Sequence, residues 1–574
     1  MTNSPTTLPV KKRRTFLSEN LIINSWESIQ PYFDDLLARK LNSLEDIEFW
    51  LKDRSELEAV IEEDAAWRYI KMNIDTTDKA LADDFNFFIT EIQPRMSPYD
   101  DKFNKKLIES SFVSHLEKDK YFIYLRAIKK EIEIFREQNI PLFTQLNTEE
   151  QKYGSISALM TVEIEGKEIT LQQAAKHLKD LDRNIREIVF EKISFRRTQD
   201  VEKLNQLFSE LIQIRTTIAK NAGFENYRDY KFAELGRFDY SVKDCYDFHH
   251  AIKTHITPVL DQLDIQRKQA LGVDQLKPWD TEVDITGKPA LKPFENQEEL
   301  ILKTIECFNR ISLFFGEKLE IMKQMGYLDL ESKKGKAPGG FNYPLYEIGV
   351  PFIYMNAVGS FRDLITMVHE GGHAIHSFLS RDLELTAFKS VPSEVAELAS
   401  MSMELITMDH WDVFFKDKDE LKRAKREQLE KVLGTLPWIA TIDKFQHWIY
   451  ENPDHSVNER NDKWIEIYSG FNSSIVDWSG MEKVKANIWQ KQLHLFEVPF
   501  YYIEYGFAQL GAIAVWRNFK NNPKQAIKDY TSALALGYTR PIGEIYETAG
   551  IKFDFSDSYV KELADFVRKE MAEL

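Results

Sequence analysis

The stretch that decides the fold runs Phe361-Arg-Asp-Leu-Ile-Thr-Met-Val-His369-Glu370-Gly371-Gly372-His373-Ala-Ile-His376-Ser-Phe-Leu-Ser380. Ser360 precedes it and Asp363 stands three residues on, the spacing of an N-terminal helix cap. Leu364, Val368 and Ile375 fall near one side, so the pattern predicts an amphipathic helix packed in the interior. On such a helix His369 and His373 are i and i+4. Both imidazoles then point the same way and can share one tetrahedral Zn2+. Glu370, about 100° around the helix, reaches toward a water on the metal's open position, as a general base must. Gly371 and Gly372 each cost about 1 kcal/mol relative to Ala in a helix interior. Their missing side chains are expected to let another backbone or a substrate approach. Gly371→Leu should then harm activity more than folding.

A catalytic zinc needs a third protein ligand and an open fourth position. His376, i+7 from His369, points the same way, but the two lie about 10.5 Å apart along the axis. That suits a supporting or core role better than ligation. A third His at position 379 is excluded, since that residue is Leu379. The stretch Val391 to Glu404 reads as a second helix, with Ser393 as its cap after Pro392. Glu394 and Glu397 lie in its first turn among Val395, Leu398, Ala399 and Met401, and a buried carboxylate needs a cation. Either carboxylate is a candidate ligand. Glu404, seven residues past Glu397 on the same face, is placed to orient a ligating imidazole. Further on, His494 precedes Pro499, Tyr501, Tyr502 and Tyr505. A helix starting after Pro499 puts at least two phenols on one face, where they can donate hydrogen bonds to an oxyanion.

Outward from these blocks the chain reads as helix after helix. In the first 150 residues Ser43 caps a helix with Ile47, Trp50 and Leu51 on one face. Between Ser157 and Leu171 the period switches to alternation around Glu165-Gly166-Lys167, which predicts one short hairpin. Thr170 with Gln173 then forms a capping box, and helix resumes to about Asn221. Leu271 to Glu295 and Leu328 to Pro351 are loops with short strands, rich in Pro and Gly. A boundary is placed near residue 200, dividing a helical lobe, 1–200, from a catalytic domain, 201–574.

Composition sets the limits. With 574 residues the chain carries only 23 Gly and 19 Pro, which disfavours turn-rich sandwiches and propellers. Its 92 Asp and Glu against 75 Lys and Arg leave a net −17, against nucleic acid or an anionic membrane as partner. Two cysteines, Cys245 and Cys307, point away from a disulfide framework and toward a reducing, cytoplasmic setting. Lys11 to Arg14 lack the apolar run that a signal peptide requires.

These blocks resemble the thimet oligopeptidase and oligoendopeptidase F family of zinc metallopeptidases, closest to its Pz-peptidase-like branch. The resemblance rests on Leu271 to Asp274 with Pro278-Trp279-Asp280, Pro351 to Asn356, the HEGGHAIHSF run from His369, Glu397 with Ala399, Ser400 and Glu404, His494 with the tyrosines, and Gly550 to Asp554. It covers about residues 150 to 565. It implies a mainly α, zincin-like (gluzincin), two-lobed helical fold with a deep substrate channel and a small β-sheet beside the zinc. It also implies that Glu397 is the third ligand of a single Zn2+ and that His494 with Tyr501, Tyr502 or Tyr505 polarises the scissile carbonyl. The expected activity is hydrolysis of internal bonds in short peptides. Phe352, Ile353, Tyr354, Met355 and Asn356 are expected to bind substrate backbone as an added strand. A zinc carboxypeptidase of similar fold and an inactive peptide-binding protein are the alternatives. The oligomeric state is left undetermined.

Overall fold

The computed structural model describes residues 8–574. The described residues are mainly helical, with five short strands among them: β1 (Thr161–Ile164), β2 (Lys167–Thr170), β3 (Leu328–Glu331), β4 (Phe341–Tyr343) and β5 (Phe352–Ala357). The hairpin β1–β2 forms as the alternation predicts, with Glu165 and Gly166 at positive φ in its turn. The Thr170–Gln173 capping box follows it. No described helix is long and apolar enough to cross a membrane.

The chain divides into two compact units along different lines from the boundary expected near residue 200. One unit combines the segment ending at Glu133 with Lys292–Lys425 and Gly511–Phe553. The other combines Ile134–Leu291, Arg426–Leu510 and Asp554–Leu574. A change in sequence pattern marks where elements change type, whereas compactness follows contacts between distant segments.

In the first unit, Trp26, Phe33, Trp50 and Phe103 form an aromatic core that also takes in Leu385 and Phe388. Thr386 donates two hydrogen bonds to Ser55 inside it: its amide to Ser55 Oγ (2.6 Å) and its hydroxyl to the Ser55 carbonyl (3.0 Å). The sheet order is β3–β5–β4, with β3 parallel and β4 antiparallel to the central strand. Lys336 fastens one side, its ammonium donating to the carbonyls of Asp329 (3.0 Å), Glu331 (2.9 Å) and Met355 (2.5 Å).

This topology corrects the expected role of residues 352–356. Both edges of β5 are already paired, Phe352, Ile353, Tyr354 and Met355 are buried, and Asn356 donates to the carbonyls of Ala337 and Gly339. No edge remains there for a peptide to join; β4 lies at the border of the sheet instead.

In the second unit Arg215 is fully buried and donates to the Tyr450 hydroxyl (2.8 Å), the Leu495 carbonyl (3.1 Å) and the Glu150 carboxylate (2.8 Å). It thereby ties helix Val201–Asn221 to the short helix Leu493–Glu497. Asp280 is equally buried and receives Arg183 and Arg186, each at 2.8 Å. The Pro278-Trp279-Asp280 block is therefore an anchoring knot for helix Arg183–Thr198.

Candidate metal centre and active site

Helix Phe361–Ser380 begins at the predicted cap: the Asp363 amide donates to Ser360 Oγ (3.3 Å), and the amides of Ser360 and Val358 donate back to the Asp363 carboxylate. Its apolar side is buried, and helix Ser393–Ile406 packs against it. This second helix is capped at Pro392 rather than Ser393, which is already its first helical residue. Almost every one of its side chains is buried.

The two glycines explain how closely these elements approach. A Cβ on Gly372 would lie 2.6 Å from Ser400 Cα and 2.7 Å from the Ala399 carbonyl oxygen. One on Gly371 would lie 2.7 Å from Phe308 Cζ. Both positions are buried and filled from within the unit, so their expected contact with substrate is corrected: Gly372 admits a backbone and Gly371 admits a ring.

That close packing brings His369, His373 and Glu397 together, with one donor atom from each lying within 4.8 Å of the others. Glu397 Oε2 stands 3.3 Å from His369 Nε2 and 3.8 Å from His373 Nε2. The other nitrogen of His369, Nδ1, is 2.7 Å from Glu404 Oε1, and Ser400 Oγ donates to Glu397 Oε2 (2.9 Å). Glu394 is buried but is not part of this group. His376 lies further along the helix, beside the backbone of Leu534, and burial pushes its pKa down to about 3. Among the described residues no hydrogen bond joins it to the three clustered donors.

The clustered carboxylates and imidazoles shift one another's proton affinities. Burial opposes charge on His369, yet its hydrogen bonds with Glu397 and Glu404 hold its pKa well above the usual imidazole value. Burial pushes His373 down to about 4, which keeps its nitrogen available as a lone-pair donor. Glu397 sits at about 2 against the pull of burial, held there by both imidazoles and Ser400. Burial raises Glu370 to about 7. Two imidazoles, one carboxylate and an oriented second nitrogen are the donor chemistry of a catalytic zinc site, so these residues fit the ion.

In the second unit, His494 and the three tyrosines form one aromatic cluster. The His494 ring centroid lies 4.8 Å from Tyr502, 6.0 Å from Tyr505 and 6.1 Å from Tyr501. Gln492 joins His494 Nδ1 (2.7 Å) to the Trp438 indole (2.9 Å). Helix Tyr502–Asn521 starts one residue after Tyr501, and burial raises the Tyr502 phenol to about 12.

Residues 177–565 match peptidase family M3, and residues 18–135 match the peptidase M3 N-terminal domain. The chain belongs to peptidase family M3. This M3 chain is thus an enzyme, a peptidase of the oligoendopeptidase kind. It is 24% identical over 439 residues to an oligoendopeptidase F homolog of Borreliella burgdorferi, covering 73% of this chain and 71% of that one. It is 22% identical over 344 residues to the oligopeptidase PepF of Bacillus subtilis, spanning 58% of this chain and half the length of that relative. A solved structure of Pz peptidase A with an inhibitor superposes at a TM-score of 0.89, with 27% identity, over 96% of this chain and 97% of the other.

Three supporting contacts of this M3 peptidase go beyond the sequence expectations, although Ser400 stands among the residues that carry the family resemblance. Ser400 bonds the Glu397 carboxylate, a contact that its place one turn beyond Glu397 could have signalled. The Asn342 backbone on β4 faces the Glu370 carboxylate, which only the tertiary fold reveals. Buried Arg237 bonds Glu504 (2.8 Å) and the Phe500 carbonyl, while the Phe500 amide donates to Gln446 (2.5 Å). Together these fix Phe500 at φ 66, just before the tyrosines, and no local pattern announces it.

Proposed function

We propose that this M3 peptidase hydrolyses internal bonds of short peptides with one zinc ion held by His369, His373 and Glu397. The supporting observation is the convergence of their three donor atoms, with Glu404 on the far nitrogen of His369. When bound, zinc supplies Lewis acidity for activating water and polarising a carbonyl. Glu370 accepts the proton of the attacking water and returns it to the leaving amine. Its burial beside the ligand pair suits a base whose basicity must exceed that of an exposed carboxylate. We assign hydrogen-bond donation to the developing oxyanion to His494 with Tyr502 or Tyr505, and Tyr501 to the support of that cluster. Substrate backbone is assigned to the border strand β4, because β5 is paired on both sides. A cytoplasmic setting fits two buried cysteines that form no disulfide.

Glu370→Gln tests the mechanism. The variant should retain zinc and bind peptide while losing turnover by several orders of magnitude; substantial turnover would refute the assignment. A peptide blocked at both termini separates this activity from that of a carboxypeptidase, which would leave it intact.

A further inference from the structure

The second unit buries a second constellation of metal-binding side chains. Helix Val242–His255 carries Cys245 and His249 at i and i+4, and helix Lys418–Glu451 carries Asp443 and His447 at the same spacing. All four are buried to within a few per cent of complete. One donor atom each from Cys245, Asp443 and His447 lies within 4.8 Å of the others. His249 Nε2 bonds Asp443 Oδ2 at 2.8 Å. His447 Nε2 lies 3.1 Å from that oxygen but out of line for a hydrogen bond.

What sets this cluster apart from an ordinary buried ion pair is the number of unmet polar atoms. Among the described residues, Asp443 Oδ1, His249 Nδ1 and both nitrogens of His447 have no hydrogen-bond partner. Leaving buried polar groups unpaired costs about 1–3 kcal/mol each. A proton shared between Asp443 and an imidazole neutralises the carboxylate but leaves Oδ1 and the two Nδ1 atoms unmet. A divalent ion does more. Thiolate and carboxylate together balance its two charges, so the filled site is neutral and tolerates burial among Phe232, Phe248, Phe471 and Phe500. A sulfur, an imidazole and a carboxylate in one small cluster select zinc over the harder cations, which prefer oxygen ligands.

We propose that Cys245, Asp443 and His447 hold a second, structural zinc-class ion, with His249 orienting the Asp443 carboxylate. Binding releases the Cys245 thiol proton and forms a metal–sulfur bond that the catalytic centre, built from two imidazoles and a carboxylate, cannot make.

The sulfur makes the test specific. Full-length protein loaded with zinc and freed of excess should hold two metal equivalents per chain by elemental analysis. Its cobalt-exchanged form should show an intense near-ultraviolet sulfur-to-cobalt charge-transfer band. Cys245→Ser should remove that band and one equivalent, whereas Cys307→Ser, at the other cysteine, should keep both. His369→Ala should lose the other equivalent and retain the band. Asp443→Asn gives the same loss as Cys245→Ser and replaces it should that variant fail to fold. A single equivalent with no sulfur band in the wild-type protein overturns the proposal and leaves a proton-bridged His–Asp–His triad. A band that persists in folded Cys245→Ser overturns it equally.

Discussion

At the scale of single residues, the catalytic constellation depends on how one imidazole is held. His369 offers Nε2 to Glu397 only because Nδ1 is engaged by Glu404, 2.7 Å away. That bond fixes both the tautomer and the ring's rotation, so its loss should act on metal affinity more than on folding. Glu404→Gln is expected to weaken zinc binding by about 10–100-fold. Chelator competition measures this, and unchanged affinity would show that the ring is oriented by packing alone. His369, Glu370, His373 and the pairing of Glu397 with Glu404 were all legible in the sequence, because helical spacing fixes which side chains share a face. The choice between Glu394 and Glu397 was not settled by spacing, since the two carboxylates lie only three residues apart near the start of one helix. The Cys245–His249 and Asp443–His447 pairs have the same i, i+4 spacing as the HEGGH pair. They stayed illegible because nothing in sequence brings residues 245 and 443 together.

At the scale of elements, glycines and arginine knots set distances. The sequence marks Gly371 and Gly372 as unusual for a helix interior, but not what fills the space. Their neighbours, Phe308 and the 399–400 backbone, come from segments far along the chain. Gly372→Ala gains about 1 kcal/mol of helix propensity and loses more, because Ser400 Cα and the Ala399 carbonyl belong to a helix that must move as a whole. A net loss of about 1–3 kcal/mol is expected, accompanied by weaker zinc binding because Glu397 rides on that helix. Gly371→Ala, facing one edge of the Phe308 ring, should lose less. Thermal melting and zinc titration of the two variants check the order, and a smaller loss in Gly372→Ala would contradict it. The Asp280 knot gives a pH signature. Burial alone would raise its pKa, but Arg183, the Lys277 amide and Arg186 hold it below the usual 3.8. A carboxylate with a depressed folded pKa contributes stability that is present above 3.8 and is lost as pH falls through the folded value. Asp280→Asn leaves Arg186 buried without its counter-charge and should cost about 3–5 kcal/mol at neutral pH. The gap in Tm between variant and wild type should narrow as pH is taken below 3.8; a constant gap would mean that shape, not charge, holds the knot.

At the scale of the molecule, what the sequence could not supply was the interleaving. Helix after helix with one early hairpin was readable from periodicity, and so was a large fold carrying its site residues far apart in sequence. Yet a boundary near residue 200 follows local pattern, whereas the first unit draws on three separated segments and the second unit on three others. The early helices are completed by residues far later in the chain: Leu385 and Phe388 fill the core around Trp50 and Phe103, and Thr386, 331 positions beyond Ser55, bonds both its hydroxyl and its carbonyl. Removing those partners uncovers apolar surface worth roughly 25 cal/mol per Å2 and leaves a buried hydroxyl unpaired. Marginal folding free energies seldom survive such a loss. A fragment of residues 1–200 should therefore retain helical circular dichroism, bind a hydrophobic dye and melt without a cooperative transition. Adding back 201–574 in trans should restore cooperativity, since the missing faces return with it. Sharp, dye-free melting of the 1–200 fragment alone would show that the first segment carries a self-sufficient core, and that the 383–388 contacts decorate it rather than complete it.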